Sequence, residues 1–201
     1  MSIETEYKQH CVAVYHGLES IDLDKLQDAA DAILYAIENR ATIYTAGNGA
    51  SAAIAQHWAC DYTKGCSRID DPKPFKPRVI SLSANIPLMT AISNDISYDQ
   101  VYAYQLERLA DVGDVFISIS SSGNSPSVVE ACRIALKKGM TVIALTGFEG
   151  GETRKLAHHA IHVDLPEYEA TEDVHQAIMH MIAKYLRTKN SCVQILKTVV
   201  D

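Results

Sequence analysis

The sequence predicts a doubly wound α/β domain with a mostly parallel, five-stranded sheet. Five short β-rich runs recur along the chain: "TIYTA" (42–46), "RVISL" (78–82), "VFISIS" (115–120), "TVIALTG" (141–147) and "AIHVDL" (160–165). Helical segments separate them, at 51–63, about 87–93, 98–110, 125–138 and about 152–157. Most of the runs lack strict polar alternation, as expected of strands covered on both faces. Strands alternating with helices point to parallel crossovers, and five of them give a flavodoxin-like layout.

The elements follow in order. The first 40 residues read as two helices. In the second, Leu23, Leu26, Ala29, Ala30, Ile33, Leu34 and Ile37 fall at helical spacing behind a cap at Asp22. The alternating core spans 41–189 and closes on a long helix near 169–189. The tail, 190–201, is apolar enough to suggest an interface. Segment 66–77, "CSRIDDPKPFKP", carries three prolines and mixed charge, and reads as a surface loop serving as a lid or subunit contact. No linker or repeat divides the 201 residues, so a single domain over 1–201 is expected.

Composition narrows the function classes. A net charge of −7, with no basic run to offset it, argues against binding nucleic acid through its phosphates. No uninterrupted apolar run approaches the roughly 18 residues of a membrane span, and "MSIETEYKQHCVAVYHG" lacks a signal-peptide core. Five cysteines without a CxxC pair read as free thiols of a reducing cytoplasm. Cys60 neighbours Asp61, but its side chain leaves the helix about 100° away, so it is not read as a nucleophile.

Two strand-to-helix loops are suited to an anion. "SSSGNSP" places Ser120, Ser121 and Ser122 after a strand, then Ser125 ahead of Pro126, a serine cap followed by a proline at the first helical position. Hydroxyls, backbone N–H groups and the helix dipole can converge there on one phosphate. "AGNGAS" also joins a strand to a helix, with Gly47 and Gly49 allowing close backbone approach. Neither loop has the GxGxxG or GxxxxGK[ST] spacing of the nucleotide folds. Two such cradles at separate strand ends suggest a small phosphorylated ligand that is not a nucleotide.

The segments "AGNGASAAIAQH", "ISNDISYDQVYAYQL", "GDVFISISSSGNSPSVVEA" and "KKGMTVIALTGFEGGE" resemble the sugar isomerase (SIS) domain family, over roughly residues 5–187. The resemblance is to its phosphoheptose isomerase branch. It implies conversion of sedoheptulose 7-phosphate to D-glycero-D-manno-heptose 7-phosphate, feeding envelope or capsule sugars. It also implies a homotetramer with N-terminal helices packed across the assembly. Phosphate-binding positions carry over to Ser51, Ser120, Ser121, Ser122 and Ser125, and polar sugar contacts to Asn48 and Asp95, with Gly49 and Glu169 also expected at the bound substrate. Two alternatives remain: an SIS isomerase for another sugar phosphate, and a non-catalytic adaptor that binds the bacterial replication initiator.

The candidate chemistry sits on two helices. His57 and Asp61, four apart, share one helix face. Glu172 and His180, eight apart, are offset by roughly 80° on the last helix, and His175 lies between them. Two histidines and two carboxylates can hold a divalent ion, zinc foremost. The resemblance places the family's metal and catalytic positions on His57, Asp61, Glu172 and His180, with Asp61 replacing a Glu, Glu172 a Gln and Glu169 an Asp. Asp61 reaches about 1.5 Å less far than Glu. Glu172 adds a negative charge, so an ion facing both carboxylates is neutralised and its Lewis acidity lowered. Aldose–ketose isomerisation needs a base to move a proton between adjacent carbons and an acid or metal at the oxyanion. His180 and one carboxylate are expected to do that acid–base work.

The remaining residues read as scaffold. Trp58 is expected in the core or an interface, and the pair His158–His159 in solvent. Tyr98, Tyr102 and Tyr104 follow the 93–97 loop, where one of them can close over a ligand.

Overall fold

A computed structural model describes residues 2–66 and 75–200, the side chains of 191–200 excepted. Most of segment 66–77 thus lies outside the described residues. Two N-terminal helices, α1 (Ile3–Glu19) and α2 (Leu23–Glu38), precede the alternating core. The core runs β1 (Thr42–Gly47), α3 (Ala50–Gly65), β2 (Arg78–Ser81), α4 (Ile86–Asp95), α5 (Ala103–Leu109), β3 (Val115–Ser120), α6 (Pro126–Lys137), β4 (Thr141–Thr146), α7 (Gly151–Leu156) and β5 (His159–His162). Helix α8 (Tyr168–Val200) closes the chain.

The sheet order is β2-β1-β3-β4-β5, with every pair parallel. The chain steps from β1 outward to β2, then returns to β3 on the other side of β1. That reversal opens a crevice beyond the carboxyl ends of β1 and β3, where ligands bind in such sheets. Strand alternation divides the core. Ile43, Ile117 and Ile119 face α2, α3 and α8. Tyr44, Ala46 and Phe116 face α4, α5 and α6.

Three boundaries differ from the sequence reading. The segment 98–110 is split: Tyr98–Gln100 form a 3-10 turn, and α5 begins only at Ala103. The fifth strand ends at His162. The expected tail from 190 continues as helix to Val200. Its composition holds no glycine or proline to stop the helix. Among the described residues, no helix is long and apolar enough to cross a membrane.

Candidate active site

The two anticipated loops meet at the reversal point. Ser120 ends β3, and Ser125 caps α6 with Pro126 behind it. Ser125 makes no side-chain capping bond, so its hydroxyl is available to a ligand. Asn48, Gly49, Ser51, Ser121, Ser122 and Ser125 line a cleft of about 250 Å³. Ser121 Oγ is buried there with no hydrogen-bond partner among the described residues. A buried hydroxyl left unpaired is costly unless something else bonds it, and a phosphate oxygen would.

The cradle's shape depends on close backbone contact. Gly123 turns the serine loop at φ +65°, and a Cβ there would lie 2.0 Å from the Gly150 carbonyl oxygen. The Gly-Gly of "TGFEGGE" is therefore the wall against which the serine loop packs.

Asn48 is held by neighbours. Tyr98 Oη donates to its Oδ1 at 2.9 Å, and Tyr102 Oη lies 3.0 Å from the same atom. The Asn48 amide nitrogen donates to Ser127 Oγ at 3.0 Å. Tyr102 is fully buried, and burial pushes its hydroxyl up to about 12. It stays protonated, its single hydrogen shared between Asn48 and the Gly47 carbonyl.

The second half of the site lies where α3 packs on α8. His57 Nε2 is 3.2 Å from Asp61 Oδ1, and His180 Nε2 is 3.5 Å from Asp61 Oδ2. The imidazoles of His57 and His180 meet edge to face, with ring centres 5.0 Å apart. Donor atoms from all three residues fall within 4.8 Å of one another. Four ligands placed tetrahedrally around zinc at about 2.1 Å would be separated by about 3.4 Å. The two nitrogen–carboxylate separations bracket that value, and the donor types suit a divalent ion.

Glu172 does not join the trio. It lies two helical turns, about 12 Å along the axis, from His180, and its side chain lines the serine cleft. Burial raises its carboxyl above the ordinary range, and Glu169 and Asp173 add to the effect. A neighbouring cleft of about 400 Å³, lined by Ala50, Glu169, Glu172 and Gln176 among others, leads from the cradle toward the histidines. Asp95 ends α4 in an exposed position, accepting from Asn94 Nδ2 at 2.9 Å, and does not line the cradle.

Sequence reasoning passed over Gln176. Its amide nitrogen lies 2.7 Å from His57 Nδ1 and 3.2 Å from His180 Nε2. Its spacing of four from both Glu172 and His180 puts all three on one stripe of α8, the one available signal. His175 faces the opposite way and is fully buried. Trp58 is equally buried, packed edge to face on Tyr62. His158 is not merely solvated, because its Nδ1 accepts from the Val142 N–H.

A parallel sheet with two serine–glycine cradles at its reversal point, backed by a histidine–carboxylate cluster, defines an α/β domain for a small anionic substrate. The family model for the SIS domain matches residues 6–147, and the chain belongs to that family. It is 33% identical over 187 residues to phosphoheptose isomerase of Helicobacter pylori, covering 90% of this chain and 91% of the relative. It is 34% identical over 164 residues to that of Alteromonas mediterranea, covering 80% and 81%. The solved structure of phosphoheptose isomerase from Neisseria gonorrhoeae superposes with a TM-score of 0.83 at 30% identity, covering 92% of this chain and 97% of that one.

Proposed function

We infer that the chain is an aldose–ketose isomerase that converts sedoheptulose 7-phosphate to D-glycero-D-manno-heptose 7-phosphate through an enediol. The observation that carries this reading is a serine cradle joined, through Glu172, to a cleft bordered by Gln176, whose amide touches His57 and His180. Ser51, Ser120, Ser121, Ser122 and Ser125 bind the phosphate at the N-termini of α3 and α6, where the helix dipoles favour an anion. Asn48, Gly49 and Glu169 contact the sugar, and Asp95 is assigned the same part on the resemblance alone.

Isomerisation removes a proton from C1 of the open-chain ketose while the C2 carbonyl oxygen is protonated. The O1 proton then leaves as a proton is delivered to C2. Glu172 is assigned the carbon-bound proton, since it borders the cradle and its raised pKa makes it a stronger base. His180 Nε2 handles the oxygen-bound proton, with Asp61 beside it to stabilise the imidazolium. Zinc held by His57, Asp61 and His180 would supply Lewis-acid polarisation of substrate oxygens, and His180 would then hold the ion in place of the proton.

Apolar side chains exposed along α1 (Ile3, Tyr7, Val12, Tyr15) support a homotetramer built on the N-terminal helices. The four described cysteines are all unpaired, in keeping with a reducing cytoplasm.

Turnover of sedoheptulose 7-phosphate in deuterium oxide tests the reading, with metal content and sedimentation measured on the same preparation. Wild type is expected to form the aldose with solvent deuterium at C2. Glu172→Gln and His180→Ala should each lose about 10²–10⁴-fold in kcat. A folded wild-type protein that forms no aldose and takes up no deuterium would sink the assignment.

A further inference from the structure

We propose that Gln176 supports both tautomers of His57, and thereby the readiness of the His57–Asp61–His180 trio to accept a divalent cation. The inference rests on the cation reading above and concerns a residue that neither the motifs nor the resemblance assigns. The Gln176 amide sits 2.7 Å from His57 Nδ1, the ring nitrogen turned away from Asp61. It has no other hydrogen-bond partner among the described residues than the two histidines. A neutral imidazole carries one N–H and one lone pair, so the partner on one nitrogen decides what the other presents.

Two states follow from the amide's two ends. Without a cation, the Asp61 carboxylate can only accept, so the hydrogen sits on His57 Nε2, 3.2 Å from Asp61 Oδ1. Nδ1 is then an acceptor, and Gln176 meets it with N–H. A cation needs the Nε2 lone pair, which places the hydrogen on Nδ1 and requires Gln176 to present Oε1. Turning the amide by 180° about its last side-chain torsion exchanges the two states without moving the backbone, and it also takes the amide N–H off His180 Nε2, whose lone pair a cation would need. Ligating histidines are usually oriented through their second nitrogen in this way, and losing that partner typically costs 10–100-fold in metal affinity. A glutamine can serve both states because it is donor and acceptor at once. Glutamate can only accept, and leucine can do neither.

The test uses the full chain at a pH well above the ordinary imidazole pKa, with cobalt(II) as the probe. Its absorption bands and competition with zinc(II) give affinity. Nitrogen-15 NMR of histidine-labelled protein, with the His57 signals assigned from their loss in His57→Ala, gives the tautomer. Metal-free wild type should show a protonated Nε2 and a bare Nδ1. Gln176→Glu should shift the hydrogen toward Nδ1 and keep or raise cobalt affinity. Gln176→Leu should keep the Nε2 hydrogen that Asp61 holds and bind cobalt about 10–100-fold more weakly, with unchanged circular dichroism. The proposal is overturned if Gln176→Leu binds as tightly as wild type, or if Gln176→Glu leaves the His57 tautomer unchanged. A wild type that takes up neither cobalt nor zinc removes the cation reading itself. In that event the Gln176→Glu spectrum still decides whether residue 176 orients His57.

Discussion

Tyr98 determines which end of the Asn48 amide meets a ligand. Its hydroxyl occupies Oδ1, while one amide hydrogen is spent on Ser127, so the remaining N–H is the group offered to the cleft. Removing the hydroxyl leaves Oδ1 to Tyr102 alone and weakens the hold on that orientation. One neutral hydrogen bond is worth about 1 kcal/mol, close to fivefold. Tyr98→Phe should therefore raise KM about 3–10-fold with kcat nearly unchanged, the pattern of lost uniform binding. In an Asn48→Ala background the same change should cost nothing further. Equal costs in both backgrounds would mean that Tyr98 touches the substrate itself. His57, Asp61 and His180 were legible in the sequence because residues four apart on a helix share a face, and the resemblance supplied the partner helix. Tyr98 and Gln176 were not legible, because their contacts join residues 50 and 119 positions apart.

At the level of elements, the site is the meeting of two loops whose glycines do different work. Gly123 has φ +65° and faces the Gly150 carbonyl at a distance no side chain tolerates, whereas Gly113 has φ +87° with nothing within 4 Å. Both pay the left-handed strain on substitution, but only the first also collides with backbone. Gly123→Ala should cost about 2–4 kcal/mol of stability and weaken phosphate binding, while Gly113→Ala should cost about 1 kcal/mol and spare it. Urea unfolding with and without inorganic phosphate separates the two. Equal losses would show that the serine loop does not need the Gly150–Gly151 wall. The same collision explains the spacing of "SSSGNS" and "TGFEGGE", visible in the sequence as motifs but without their mutual contact.

Across the whole molecule, the packing of α8 on the sheet buries a histidine. His175 is fully buried, and neither ring nitrogen has a partner at ordinary geometry among the described residues. Burial lowers its pKa from 6.5 to about 4, with the Thr146 backbone opposing this only in part. The unfolded chain therefore takes up a proton below pH 6.5 that the native ring refuses. This contribution to stability is complete above pH 6.5 and disappears progressively as pH falls toward 4, amounting to about 3 kcal/mol. His175→Met should be at least as stable at pH 7 and should lose that share of the acid slope, measured by urea unfolding at successive pH values. An unchanged slope would place the acid sensitivity on other groups.

The sequence by itself determined the fold class, the two strand-end loops, the family and the residues proposed for the chemistry. These are properties of local periodicity and short spacing, which survive without knowledge of the tertiary contacts. Only the tertiary structure decided how the residues divide among tasks. Glu172 turns to the cradle while Asp61 stays with the histidines, because the crossing of α3 and α8 brings only the His180 end of the long helix to the His57 face. Gln176 enters the site for the same reason, and His175, one residue away, is carried into the core.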